Sequence, residues 1–308
     1  MRIVSLLPSA TEIVCALGLR DDLVGVTHEC DWPLEVIGLP VMTSNALDLV
    51  GASSREIHRR VGDAVHGGSA IYHLDEAALE MADADLILTQ ELCAVCAVGY
   101  REVNEAVRAL EMDATVISLE PTSVEGILNT ISTVGAMAEA EDAAVELVES
   151  LRARLGAIES KAQERRERGF VGPRVVGLEW LDPPFAVGHW VPDQIRRAGG
   201  WDVLGHDGSP ARPTTWDAVA DIDPDLLLLM PCGYHLRETV TEWEKTVLPE
   251  WIGELSAIQR GHLIALDGSS YFSRPGPRVV DGIEMLAEIF DPEAFRDISP
   301  PTGWTPIA

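Results

Sequence analysis

A chain that opens on MRIVSLLPSATEIVCALGLRDDLVGVTHECDWP has little freedom in how its fold begins. Arg2 to Leu6 is a short β-branched run, Pro8 breaks it, and Ser9-Ala10-Thr11-Glu12 has the Ser-x-x-Glu spacing of a capping box. Gly18 closes the helix so opened, and Asp22 to Thr27 is a second strand. Strand, helix, strand is the start of a doubly wound α/β unit, in which strand ends deliver loops to a ligand crevice.

The same alternation continues. Ser53-Ser54-Arg55-Glu56 repeats the capping spacing, Asp85 to Thr89 reads as a buried strand, and a helix from Tyr100 to Glu111 leads to a strand from Ala114 to Leu119. These segments make an N-terminal lobe, residues 1–121. Thr122-Ser123-Val124-Glu125 then caps a proline-free stretch rich in Ala, Glu, Leu and Arg. Its pattern predicts a connecting long helix over residues 122–170, up to ~45 residues and on the order of 60 Å, or two shorter helices broken near Glu139 to Asp142. Residues 171–308 restart the α/β pattern. Strands are expected at Arg174 to Leu178, Asp225 to Met230 and His262 to Leu266, with helices near Pro192 to Ala198, Leu236 to Val247 and Pro277 to Phe290. The tail from Asp291 reads as irregular. The expected architecture is two doubly wound α/β lobes joined by a long α-helix, with a ligand cleft between them.

The lobes echo each other. Leu74-Asp75-Glu76-Ala77 leads to Asp85-Leu86-Ile87-Leu88 and then Cys93, while Trp216-Asp217-Ala218-Val219 leads to Asp225-Leu226-Leu227-Leu228 and then Cys232. In both, an acid is expected to open a short helix that precedes a buried strand.

With 308 residues, 46% of them hydrophobic, the chain can bury a sizeable core. Fifty acidic residues against 23 basic ones leave a charge of -27, which repels phosphate backbones and anionic membranes. Nucleic acid is therefore excluded as a partner, and no apolar run approaches a membrane span. No basic and apolar leader stands before the first strand, so the expected location is cytoplasmic, or periplasmic or extracellular if a leader has been removed.

Five loops leave the carboxyl ends of predicted strands: His28 to Pro33, Gln90 to Gly99, Glu179 to Trp190, Pro231 to His235 and Asp267 to Pro277. They gather Trp32, Trp180, Phe185, Trp190, Tyr234, Tyr271 and Phe272, stiff apolar walls with polar tips suited to a bulky, partly apolar small molecule. Each could equally be a core plug. The same loops hold Cys30, Cys93, Cys96 and Cys232, with a C-x-x-C at 93–96. Four convergent thiolates would suit zinc or an iron–sulfur cluster; buried free thiols or a redox pair are the plainer readings. Cys15 falls on the apolar face of the first helix. His28, His189 and His235 sit in cleft loops, where a metal centre or simple solvation would account for them.

The block Ser5-Leu6-Leu7-Pro8-Ser9-Ala10-Thr11-Glu12-Ile13 and the turn Asp31-Trp32-Pro33 resemble the S-L-x-P-S-A-T-E-I and D-[YW]-P motifs of the helical-backbone class of ABC-importer substrate-binding proteins, particularly its cobalamin-binding branch. The resemblance runs over essentially the whole chain. It implies that Trp32 offers an aromatic to the corrin, that Phe185 matches the aromatic of a P-P-F segment, and that Tyr271, Phe272 and Arg274 match a W-F-x-R stretch near the cobalamin side chains. Thr89-Gln90 departs from the family's tryptophan there, placing polar Gln90 on that wall. Asp75 and Asp217 stand where the family carries one glutamate per lobe to dock on an ABC permease; the plainer role is to complement a helix N-terminus.

No phosphate loop, nucleophile elbow or H-E-x-x-H is present, so no enzymatic activity is expected. The expected function is solute binding, with cobalamin, a related corrinoid or another metal chelate as ligand. Two alternatives stand beside it: a metal or iron–sulfur protein using the loop cysteines, and a siderophore or haem binder.

Overall fold

The opening run forms β1 (Ile3–Ser5), and α1 (Pro8–Ala16) starts ahead of the expected serine cap. Pro8 has no N–H to orphan and suits a first turn, so Leu7 holds the cap position with no side-chain bond. Ser9 is buried inside the helix instead. The computed structural model describes residues 1–49, 51–67, 71–91 and 99–307. Cys93, Cys96 and the C-x-x-C loop lie outside the described residues.

The chain continues through β2 (Leu23–Gly25), β3 (Thr43–Asn45), α2 (Ser54–His66), β4 (Tyr72–Leu74), α3 (Glu76–Ala82), β5 (Leu86–Thr89), α4 (Tyr100–Ala109) and β6 (Thr115–Ser118). Helices α5 (Val124–Met137) and α6 (Glu141–Glu167) follow. Then come β7 (Arg174–Leu181), β8 (Pro184–Ala186), β9 (Gly188–His189), α7 (Val191–Arg197), β10 (Trp201–Asp202), β11 (His206–Asp207), β12 (Arg212–Pro213) and α8 (Trp216–Ile222). The last elements are β13 (Leu226–Leu229), α9 (Leu236–Lys245), α10 (Ser256–Gln259), β14 (Leu263–Leu266), α11 (Gly268–Tyr271), α12 (Val279–Phe290) and β15 (Trp304–Pro306).

The described residues divide into two units. The first comprises Met1–Ala52, Arg59–Pro121 and Glu125–Ser150; the second comprises Ser53–His58, Thr122–Val124 and Leu151–Ala308. In the first, a parallel sheet runs β2-β1-β5-β6. In the second, β10, β7, β13 and β14 pair in parallel in that order, and β15 adds an antiparallel edge. Numbered within each unit, the parallel order is the same, second-first-third-fourth. Its direction reverses beside the first strand, and that is where an open α/β sheet places its crevice. The central strands carry the cores: Leu226–Leu229 is buried throughout, each leucine worth roughly 1.5–3 kcal/mol.

Of the two forms expected for the connector, the chain takes the second, two helices broken at Glu139, which has a left-handed φ of 56°. They pack closely; a Cβ on Gly135 would come within 2.4 Å of the Ala144 methyl. The tail from Asp291 is not wholly irregular, since β15 pairs with β14, and Pro306 is tolerated on an edge. Asp75 does cap α3, accepting from the Ala78 N–H at 2.9 Å, but α8 is capped by Thr215, with Asp217 inside the first turn.

Within the second unit, α6 is stapled by ion pairs. Arg154 Nε donates to Glu284 at 2.9 Å and its other nitrogen reaches Asp281, while Arg165 Nε donates to Asp291 at 2.6 Å.

Candidate functional site

In the second unit the crevice position lies at the carboxyl ends of β7 and β13. Strand β7 ends in Glu179-Trp180-Leu181, and the Cys232 N–H donates to the Glu179 carbonyl at 3.0 Å, tying the loop after β13 to it. That loop turns on Gly233, at φ 77°, and presents Tyr234, whose ring meets Trp180 edge-on at 5.6 Å between centroids. Two of the predicted aromatics thus form one shelf.

Beside the shelf, Asp267 follows β14 and caps α11 by accepting from the Ser270 N–H at 2.8 Å. His235 Nδ1 lies 3.1 Å from the same carboxylate. Asp267 sits below the usual carboxylate range: burial pushes it up, but His235 and the Ser270 N–H outweigh burial. Ser270 Oγ is 3.4 Å from that same His235 nitrogen, so serine and aspartate face one ring nitrogen and the geometry of a nucleophilic relay is not met.

Glu179 was missed as a functional residue. Burial, reinforced by the neighbouring Cys232, pushes its carboxyl up to about 8, against which the Gly188 N–H at 3.2 Å pulls only weakly. The signal for it is an acid that ends an apolar strand run, just where the sheet order reverses. Near neutrality such a carboxyl is a hydrogen-bond donor rather than an anion.

The other predicted residues fall in different surroundings. Trp190 is 6% exposed, its indole N–H donating to the Phe272 carbonyl at 2.9 Å, and Phe272 is 2% exposed. Both are core residues of the second unit. Arg274 is buried, Tyr271 is half-buried with the Arg278 guanidinium 5.5 Å from its ring, and Phe185 stands against His58 at 5.4 Å. His189 is half-buried, and burial holds its ring below the usual histidine range.

In the first unit, Trp32 is 46% exposed and Gln90, the residue after β5, is buried. Cys30 Sγ lies 3.1 Å from Thr11 Oγ1 and 3.3 Å from Thr27 Oγ1. His28 Nδ1 is 2.7 Å from Thr43 Oγ1, and Glu29 raises its pKa. Cys15 is half-buried, and burial pushes its thiol up to about 11. Among the described residues no three His, Cys, Asp or Glu side chains are placed to hold a metal ion. Cys30 and Cys232 belong to different units.

Residues 95–269 match the sequence pattern of a family described as periplasmic binding protein. The chain belongs to the periplasmic binding protein family. It is an ABC-type solute-binding protein. An uncharacterised ABC transporter substrate-binding lipoprotein of Bacillus subtilis is 24% identical, over 96% of this chain and 82% of that one. A vitamin B12-binding protein of Vibrio cholerae is 21% identical, over 92% of this chain and 87% of its own. Among solved structures, a periplasmic heme-binding protein of Pseudomonas aeruginosa superimposes with a TM-score of 0.73, at 19% identity, covering 100% of this chain and 98% of that one. The periplasmic vitamin B12-binding protein of Vibrio cholerae gives 0.67, at 20% identity, covering 94% and 96%. The fold is that of the class III, helical-backbone binding proteins.

These relatives, a lipoprotein and periplasmic receptors, overturn the cytoplasmic location expected from the chain's opening residues. A targeting segment is removed from the mature protein, so the residues at which a sequence opens do not fix where the folded domain works. Among the described residues no helix is long and apolar enough to cross a membrane.

Proposed function

We propose that this protein binds a corrinoid of the cobalamin type and delivers it to an ABC permease. The observation that carries the reading is the shelf: Trp180 and Tyr234 in edge contact, at the position where the sheet order reverses, flanked by Glu179, Asp267 and His235. Aromatic faces offer area to a planar macrocycle at small entropic cost, and the polar rim fixes its orientation. Arg274 joins the shelf residues in the proposed ligand-lining set of the second unit; Trp32, which is exposed, and Gln90 are proposed separately as ligand-facing residues of the first unit. Asp75 and Asp217, each at the head of a short helix, are proposed as permease-docking carboxylates.

A haem is the competing ligand. The charge of -27, with the Asp267 carboxylate beside the shelf, argues against its anionic propionates and for a corrinoid bearing neutral carboxamides. Titration with cyanocobalamin and, separately, hemin tests this by calorimetry and visible absorption. Heat and a spectral change with cyanocobalamin at micromolar concentration are expected. Silence with cyanocobalamin beside binding of hemin would sink the corrinoid reading.

A further inference from the structure

Residues Ser53–His58 belong to the second unit, although the chain before them and after them belongs to the first. The excursion that carries them leaves β3 and returns at β4, two strands that pair with each other, Thr43 opposite Leu74. Within the second unit this turn sits on the shelf. Trp180 Nε1 donates to the Ser54 carbonyl at 3.3 Å. The Ser54 N–H donates to Glu242 Oε1 at 3.3 Å, and the Ser54 hydroxyl donates to the same oxygen. Ser54 also hydrogen-bonds the Tyr234 side chain. Arg55 makes two bonds of 3.0 Å to Asp182, and His58 covers Phe185.

The hold is local. Arg55 is 72% exposed, so its ion pair contributes little. Glu242 is 9% exposed, and a carboxylate so far from water needs donors, which Ser54 supplies twice. One serine therefore satisfies an indole donor, a phenol and a buried carboxylate together.

We propose that Ser53–His58 is a displaceable strap over the binding shelf, and that a carboxamide of the ligand takes the place of Ser54 on Trp180, Tyr234 and Glu242. An indole N–H requires an acceptor and a carboxylate requires donors; a carboxamide offers both within one small group. A ligand carboxylate offers only acceptors and would meet Glu242 with like charge, so the subsite discriminates by repulsion as well as by attraction. The strap competes with ligand, lowering apparent affinity by the fraction of molecules in which it is closed. This inference rests on the corrinoid reading for its ligand, but not for the strap itself.

Hydrogen exchange of the full chain, read by mass spectrometry with cyanocobalamin as probe, separates the two. Without ligand, amides of residues 54–58 are expected to exchange at least tenfold faster than those of β7. Glu242→Gln, and independently Ser54→Ala, should speed them severalfold further while leaving β7 unchanged. Cyanocobalamin should speed exchange at 54–58 in the wild-type protein. Strap amides as protected as β7 in all three proteins would overturn the strap, and protection at 54–58 that rises on binding would overturn displacement. A protein with a responsive strap and no heat with cyanocobalamin would leave the strap standing and count against the corrinoid.

Discussion

The backbone N–H of Arg2 donates to the Asp85 carboxylate at 2.7 Å, while the Arg2 guanidinium donates to the carbonyls of Ala82 and Asp83. The second unit repeats the device: the Arg174 N–H reaches Asp225 at 2.8 Å and its guanidinium caps Ile222 and Asp223. In each, an arginine at the head of the first strand closes the helix before the third, whose last turn is left by an aspartate in the left-handed region, Asp83 at φ 45° and Asp223 at φ 44°. The echo in the sequence is thus one structural joint used twice. Asp85→Ala and Asp225→Ala should each cost about 1 kcal/mol, at the low end for a charged hydrogen bond because both joints meet water. Urea denaturation measures this, and an unchanged midpoint for both variants would show the joint to be incidental.

Glu179 makes stability fall as pH rises. Its carboxyl titrates at about 8 in the folded protein because it is buried, whereas an unfolded glutamate has already lost its proton near 4.3. Between those values the folded state holds the extra proton, so stability is lost progressively as pH climbs from roughly 4.5 to about 8. Glu179→Gln keeps an acceptor for the Gly188 N–H and removes the titration. The variant is expected to gain on the order of 5 kcal/mol over wild type at pH 9 but only about 1 kcal/mol at pH 5. Parallel urea midpoints for the two proteins across that range would refute the assignment.

What was legible in the sequence was local. The strand–helix–strand opening, the four-leucine strand at Leu226–Leu229 and the capping of α2, where the Glu56 N–H donates to Ser53 Oγ at 3.3 Å, all depend on residues a few positions apart. What was not legible depends on distant partners. Ser54 and Glu242 stand 188 positions apart, and nothing around either serine or glutamate announces the other. Trp190 and Trp180 look alike in a loop, yet one is buried with its indole N–H on the Phe272 carbonyl and the other faces Tyr234, because burial is decided by the assembled sheet. The pKa of Glu179 is likewise a property of its enclosure and not of its neighbours in sequence.

Arg154 ties α6 to α12 through Glu284 and Asp281. Burial holds the Asp281 carboxyl above its usual range even with Arg154 beside it, so the pair is only partly compensated. Arg154→Met, which keeps the aliphatic stem but leaves two carboxylates facing each other, should destabilise by about 1–2 kcal/mol, since the pair is neither fully exposed nor fully buried. Restoring the loss with the double variant Arg154→Met, Glu284→Gln would show that residual carboxylate repulsion is the cause. Equal midpoints for wild type and Arg154→Met would remove the staple from the account of stability.

Gly268 sets the approach between the head of α11 and the loop that carries Cys232 and Tyr234. A Cβ there would stand 2.4 Å from the Pro231 carbonyl oxygen and 2.8 Å from the Met230 carbonyl carbon, both backbone atoms that cannot swing aside. The same approach lets the Ser269 N–H donate to the Tyr234 carbonyl at 2.9 Å and keeps His235 beside Asp267. Gly268→Ala must therefore push the loop outward, separating Tyr234 from Trp180 and His235 from Asp267. The expected cost is about 1–3 kcal/mol of stability, the usual range for overpacking, together with at least a tenfold loss of cyanocobalamin affinity by calorimetry. Ser269→Ala, which keeps the backbone bond and adds no volume, is the control and should retain affinity. A Gly268→Ala protein that binds as tightly as wild type would mean that the geometry of this loop does not govern the shelf.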